Sequence, residues 1–124
     1  MTTKQTHFSS QKPNPDYPGV LDISPEDLKN LKGQVQLVDV RRPDEFTGEL
    51  GHIPGSELIV LDTLPENMDR LDKEKPIVFI CRSGARSARA SLLAKEYGLT
   101  ETYNMWGGML EWNRLGFEVE GRSS

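Results

Sequence analysis

Cysteine occurs once in this chain, at Cys81, and the residues that follow are Arg82, Ser83, Gly84, Ala85, Arg86 and Ser87. Ile77-Val78-Phe79-Ile80 comes immediately before, an uninterrupted β-prone apolar run of the kind that forms a strand buried on both faces. From Ser87 to Tyr97 the pattern turns helical, with Ala88, Leu92, Leu93 and Tyr97 at compatible offsets and Gly98 as a stop. The intervening loop therefore leaves the carboxyl end of a central strand, where open α/β sheets bind ligands, and feeds a helix amino terminus. Backbone N–H groups are unpaired there and the helix dipole adds positive potential. Gly84 and its small neighbours let the amides turn inward as an anion nest, and Arg82 and Arg86 contribute two permanent charges. These features favour the anionic thiolate. An exposed, activated thiolate beside such a cradle is a covalent catalyst, with Arg82, Ser83, Gly84, Ala85, Arg86 and Ser87 as its substrate-binding surface. The plain alternative is that Cys81 is a small core hydrophobe. Its place between a buried strand and a glycine-containing, doubly basic loop argues for chemistry.

The elements that must position this loop follow the rhythm of an α/β protein with a mainly parallel sheet. Five strands are expected, over residues 20–23, 35–40, 58–60, 77–80 and 102–105, with 77–80 central. Ser24 can cap a helix that Pro25 opens and that ends near Gly33, with Glu26 and Asp27 at its positive end. Pro43-Asp44-Glu45-Phe46 reads as a short second helix, and Gly107-Gly108 turns into a last one carrying Leu110 and Trp112. Residues 1–18, with Pro13, Pro15 and Pro18 among polar neighbours, form a flexible or strap-like arm. The domain occupies 19–120, and 121–124 is a disordered tail.

At 124 residues the chain holds one domain. Fifteen basic against 19 acidic side chains leave a net charge of −4, the wrong sign for gripping a phosphate backbone, so no nucleic-acid partner is expected. A single cysteine excludes an intramolecular disulfide and fits a reducing, cytoplasmic setting. With only His7 and His52 besides Cys81, no zinc-type ligand set can be assembled, and no metal or other cofactor is expected. No apolar run approaches the ~20 residues that span a bilayer, nor does a signal-peptide core follow Met1, so no membrane association is expected.

With these blocks in place the chain resembles the rhodanese family of single-domain sulfurtransferases. The resemblance rests on Asp39-Val40-Arg41, on Gly51-His52-Ile53-Pro54-Gly55-Ser56, on the Cys81 loop, and on Trp106-Gly107-Gly108-Met109-Leu110-Glu111-Trp112. It implies a rhodanese-like α/β fold: a small, mainly parallel five-stranded sheet flanked by helices on both faces. It also implies that Cys81 takes a sulfur atom from a small anionic donor such as thiosulfate, becomes a persulfide, and passes the outer sulfur to a thiol, cyanide or protein-thiol acceptor. The spacing from Phe46 to His52 is longer than the common family pattern, and Ser56 replaces its alanine, which implies a longer surface loop. Asp39 and Arg41 are expected to support the loop by hydrogen bonds or by pairing with neighbours such as Glu45. His52 is tempting as a general base, but such a turn is more often structural. Trp106 and Trp112 read as rim and core residues.

Two other functions share the same features. A cysteine-dependent phosphatase of the related fold places its arginine after five intervening residues, whereas four, Arg82 to Ala85, separate Cys81 from Arg86. The shorter ring suits a thiolate carrying one extra sulfur. A sulfur-carrier or protein-interaction module in a sulfur relay would use the same persulfide and differ only in donor and acceptor.

Overall fold

The computed structural model describes residues 10–122. Its strands are β1 (Lys12–Pro13), β2 (Leu21–Ile23), β3 (Gln36–Asp39), β4 (Glu57–Leu58), β5 (Ile77–Ile80) and β6 (Thr102–Met105). The helices are α1 (Pro25–Leu31), α2 (Pro43–Phe46), α3 (Leu64–Asn67), α4 (Ala85–Tyr97) and α5 (Gly108–Arg114), with single 3₁₀ turns at Lys32–Gln34, Leu61–Thr63 and Met68–Arg70. The sheet order is β1-β2-β6-β5-β3-β4, parallel throughout except where β1 pairs antiparallel with β2.

Six strands rather than five make the sheet, because Lys12–Pro13, in the amino-terminal arm, adds an edge strand. Two polar-flanked residues carry no β signal of their own, and proline is tolerated at an edge because its missing N–H costs no inner hydrogen bond. Around it, Ser10 donates from its amide and hydroxyl to Asp27, and the Asn14 amide group donates to Asp22. The arm and tail assignments for 1–9 and 123–124 lie outside the described residues. The strand expected over 58–60 is only Glu57–Leu58, although the Ile59 and Leu61 amides still bond the carbonyls of Asp39 and Val40.

Period-two alternation along β5 divides the core between two helical layers. Ile77 and Phe79 join Val38, Val40, Leu64, Met68, Ala90 and Ala94 beneath α3 and α4. Val78 and Ile80 join Leu37, Leu28, Met105, Met109 and Trp112 beneath α1 and α5. Alanines at 90 and 94 keep α4 close to the sheet, as expected for small side chains on a packed helix face. Parallel register places Asp22, Asn104, Phe79 and Val38 in one row across four strands, on the α4 side of the sheet. Trp112 is buried, while Trp106 is 48% exposed.

Candidate active site

Cys81 directly follows β5 at the carboxyl edge of the sheet, and α4 begins at Ala85, two residues earlier than the helical pattern suggests. Gly84 makes the early start possible: its φ of 111° turns the chain so sharply that the loop proper is only Arg82 to Gly84. The Gly84 amide donates to Cys81 Sγ at 3.0 Å. The first intrahelical bond from this end is Ala88 N–H to the Gly84 carbonyl, so the preceding first-turn amides have no helical partner.

The first turn of α5 supports this arrangement. Met109 and Leu110 donate their amides to the carbonyls of Cys81 and Arg82, at 2.8 and 3.0 Å. Those two carbonyls are thus engaged on the α5 side, while the Gly84 amide reaches the sulfur. Gly108 permits the approach, since a Cβ there would lie 2.5 Å from the Arg82 carbonyl group and 2.6 Å from the Cys81 oxygen. This is the close backbone contact that the Gly107-Gly108 pair supplies.

Cys81 is 1% exposed, against the exposed thiolate expected from sequence. The tight turn at Gly84 draws the sulfur inside the loop. Arg82, Ser83 and Ala85 are exposed, Arg86 is half-buried, and Gly84 and Ser87 are buried. Ser87 Oγ is 3.2 Å from Sγ and also hydrogen-bonds Asn104 Oδ1. Asn104 in turn donates through Nδ2 to Asp22 at 2.9 Å. Sequence reasoning missed Asn104 and Asp22, which stand 82 positions apart in the chain; a polar Asn in an otherwise buried strand was the only signal.

Arg86 makes a two-pronged ion pair with Glu45 of α2, at 2.7 and 2.8 Å, so the guanidinium reaches across to a neighbouring element rather than folding over the loop. That hydrogen-bonded pairing pulls the Glu45 carboxyl down to about 2 and raises Arg86 above its ordinary value. The sequence reading had offered Glu45 to Arg41 instead. Arg41 is fully buried and bonds Asp39 through Nε and Nη2, at 2.9 and 2.8 Å, and the Gly51 carbonyl at 2.7 Å. A buried charge pair with a third acceptor is self-satisfied, so Asp39 and Arg41 tie the end of β3 to the turn at Gly51 and leave Glu45 to Arg86.

His52 stacks on Phe46 with ring centroids 3.7 Å apart, and its Nδ1 is 2.9 Å from the Phe46 carbonyl. Its backbone forms a bridge with Glu120, and Nε2 lies 3.4 Å from the Glu120 carboxylate. These contacts join the α2 turn to the carboxyl-terminal segment and none goes to the Cys81 loop. Among the described residues no cluster of His, Cys, Asp and Glu is arranged to hold a metal ion, and no helix is long and apolar enough to cross a membrane.

A six-stranded, mostly parallel α/β sheet with a buried thiol at its carboxyl edge, in a short loop that feeds a helix start, defines the class of α/β cysteine-loop proteins. Within that class the comparisons are specific: the family model described as "Rhodanese-like domain" matches residues 24–115, and the chain belongs to the rhodanese-like domain family. It is 42% identical over 79 residues to the "Putative sulfurtransferase YtwF" of Bacillus subtilis, covering 64% of this chain and 74% of that one. It is 31% identical over 94 residues to "Thiosulfate sulfurtransferase GlpE" of Pseudomonas aeruginosa, covering 75% and 84%. A crystal structure of a rhodanese-like domain protein from Staphylococcus aureus superimposes with a TM-score of 0.69 at 33% identity, covering 80% and 97%.

Proposed function

We propose that this protein is a sulfurtransferase that moves a sulfane sulfur through a Cys81 persulfide, with thiosulfate or a similar small anion as donor. The observation that carries the reading is Cys81 Sγ held at the end of β5 by the Gly84 amide and beside the Ser87 hydroxyl, at the start of a helix whose first-turn amides have no helical partner. In the first half-reaction the thiolate attacks the outer sulfur of thiosulfate; the S–S bond of the donor breaks, sulfite leaves with its electron pair, and Cys81 carries a persulfide anion. In the second half-reaction a nucleophile attacks the outer sulfur, and the Cys81 thiolate departs. Negative charge is present at every stage, which is what inward amides and a helix start stabilise. Arg82 and the exposed loop residues form the approach for the donor.

Burial of the sulfur also bears on the acceptor. A persulfide bond of about 2 Å lifts the transferable atom out of the loop toward solvent, where an external nucleophile meets it. No second cysteine exists to receive it internally, so the acceptor is a small thiol, cyanide or a partner protein's thiol. The four-residue interval between Cys81 and Arg86 supports sulfur over phosphoryl transfer, and Arg86's engagement with Glu45 adds to that, since a phosphatase arginine must be available to the substrate.

The test is intact-mass spectrometry of reduced, folded protein incubated with thiosulfate. One sulfur atom is gained, mapped to Cys81, and lost on adding cyanide; Cys81→Ser gains none. An unchanged mass, or release of phenol from an aryl phosphate with a phosphorylated Cys81, refutes the assignment.

A further inference from the structure

The buried row that runs from the sheet to the sulfur contains a choice that only one proton can make. Ser87 Oγ touches two acceptors, Cys81 Sγ at 3.2 Å and Asn104 Oδ1, and a hydroxyl has a single hydrogen to give. Which face Asn104 presents to Ser87 is set from its other side. Asp22 is a carboxylate with acceptor sites only, so the Asn104 group beside it is the Nδ2 donor and the carbonyl Oδ1 is turned toward Ser87. Asp22, Ser87 and Asn104 are all buried to 2% exposure or less, so their hydrogen bonds within the row are the ones that hold them. Asn14 of the arm donates to the same Asp22 oxygen at 3.0 Å, which fixes the carboxylate in turn.

We propose that Asp22 and Asn104 are positioning residues that compete with the Cys81 sulfur for the Ser87 hydroxyl proton and thereby set how readily the thiolate forms. With Cys81 as a thiol, the S–H can donate to Ser87 Oγ while the hydroxyl donates to Asn104. When the thiolate forms, the hydroxyl turns to the sulfur and the bond to Asn104 is given up. No covalent bond changes and no proton leaves the hydroxyl. The network restrains the resting nucleophile, and it supplies a donor when the Cys81 thiolate becomes the leaving group. Once a persulfide has formed, Sγ is a weak acceptor and the hydroxyl returns to Asn104.

Other charged groups lie on the elements around the loop, and Arg86 interacts electrostatically with Cys81 itself. Arg86, paired with Glu45, and the Asp39–Arg41 pair stand on the α2 and β3 sides, Arg82 follows Cys81, and Lys12 lies opposite Asp22 across the β1–β2 pair. None of these side chains is altered in the variants below, and the double variant separates the charge of Asp22 from its action through the hydroxyl. The inference rests on Cys81 as the nucleophile but not on sulfur transfer, because its readout is the pH dependence of iodoacetamide alkylation at Cys81, scored alongside the thermal melt.

Asn104→Ala frees the hydroxyl for the sulfur, so alkylation on the acidic limb is faster, by about fivefold for one ordinary hydrogen bond. Ser87→Ala slows it by a similar factor, and Ser87→Thr restores it. Asp22→Asn, nearly isosteric, lets the Asn104 amide flip and present a donor to Ser87, and alkylation again accelerates. The deciding arm is the pair Asp22→Asn with Ser87→Ala. Here the acceleration disappears if Asp22 acts through the hydroxyl. If it persists, Asp22 acts on Cys81 by charge alone and the proposal is wrong. A rate on the acidic limb that is unchanged or lower in both Asn104→Ala and Asp22→Asn also overturns it. Should Asn104→Ala fail to fold, the Asp22 variants decide. Absence of a persulfide in the mass test, with these alkylation shifts present, would refute sulfur transfer and leave the positioning role standing.

Discussion

Replacing Glu45 by Gln removes the charge that Arg86 holds while keeping an oxygen able to accept from the Arg42 amide, which Glu45 caps at 3.1 Å. A carboxyl held at about 2 in place of its ordinary 4.5 corresponds to a ceiling of roughly 3 kcal/mol at about 1.4 kcal/mol per pH unit. The Arg86 side chain is 35% exposed, and solvent screening reduces the expected contribution to about 1 kcal/mol. Because the folded-state value is depressed, this stability is fully present above about pH 4.5 and is lost as the pH falls toward about 2. For a domain of this size the loss near neutral pH amounts to a melting temperature lower by about 3–6 °C. Thermal melts of wild type and Glu45→Gln at a series of pH values read the difference directly. It is largest near neutrality and shrinks through the acid range in which the wild type still folds. A difference that is absent near neutrality, or that stays constant down to about pH 3, would show that the Glu45–Arg86 contact is not an energetic clamp on the loop.

Three further outcomes are expected. Gly108→Ala puts a Cβ 2.5 Å from the Arg82 carbonyl group at a φ of +59°, so it costs at least about 2 kcal/mol by chemical denaturation and displaces the Cys81 loop, seen as a lower sulfur-transfer rate in the protein that folds. Asp39→Ala strands the buried Arg41 charge and destabilises by about 3–5 kcal/mol in the same assay, while Asp39→Leu combined with Arg41→Met costs less. Arg82→Ala raises KM for thiosulfate by roughly three- to tenfold at low ionic strength with little change in kcat, and the effect shrinks in high salt, as steady-state kinetics at two salt concentrations will show.

The local geometry of the candidate site was legible in the chain because its parts are neighbours in sequence. Cys81 is followed within a few residues by its amide donors, its glycine and its helix start, and the preceding run Ile77–Ile80 is apolar enough to declare a central strand. Short-range backbone geometry links these, so a linear reading carries them, together with the parallel α/β class that alternating strands and helices dictate. The strand at Lys12–Pro13 was not legible: edge pairing depends on an available neighbour, β2, and not on the propensity of the two residues themselves.

Partners were the part that only tertiary structure decided. Arg86 and Glu45 are 41 positions apart, and α2 offers two adjacent carboxylates, Asp44 and Glu45; only the fold shows that Arg86 takes Glu45 while Asp44 pairs with Arg42. His52 had the chemistry of a base, yet its ring is spent on Phe46 and on the carboxyl-terminal segment, because the turn at Gly51 carries it away from the sulfur. Asp22 and Asn104 look unremarkable in sequence, and become neighbours of the thiol because parallel register sets them side by side on the face that α4 covers. The chain by itself thus singled out the Cys81 loop as the candidate site and set it between a buried strand and a helix start, since both follow from residue type and local backbone. Which side chains surround the Cys81 sulfur depended on which strands lie adjacent and in what register, and these are settled by the burial of two apolar faces over the whole sheet.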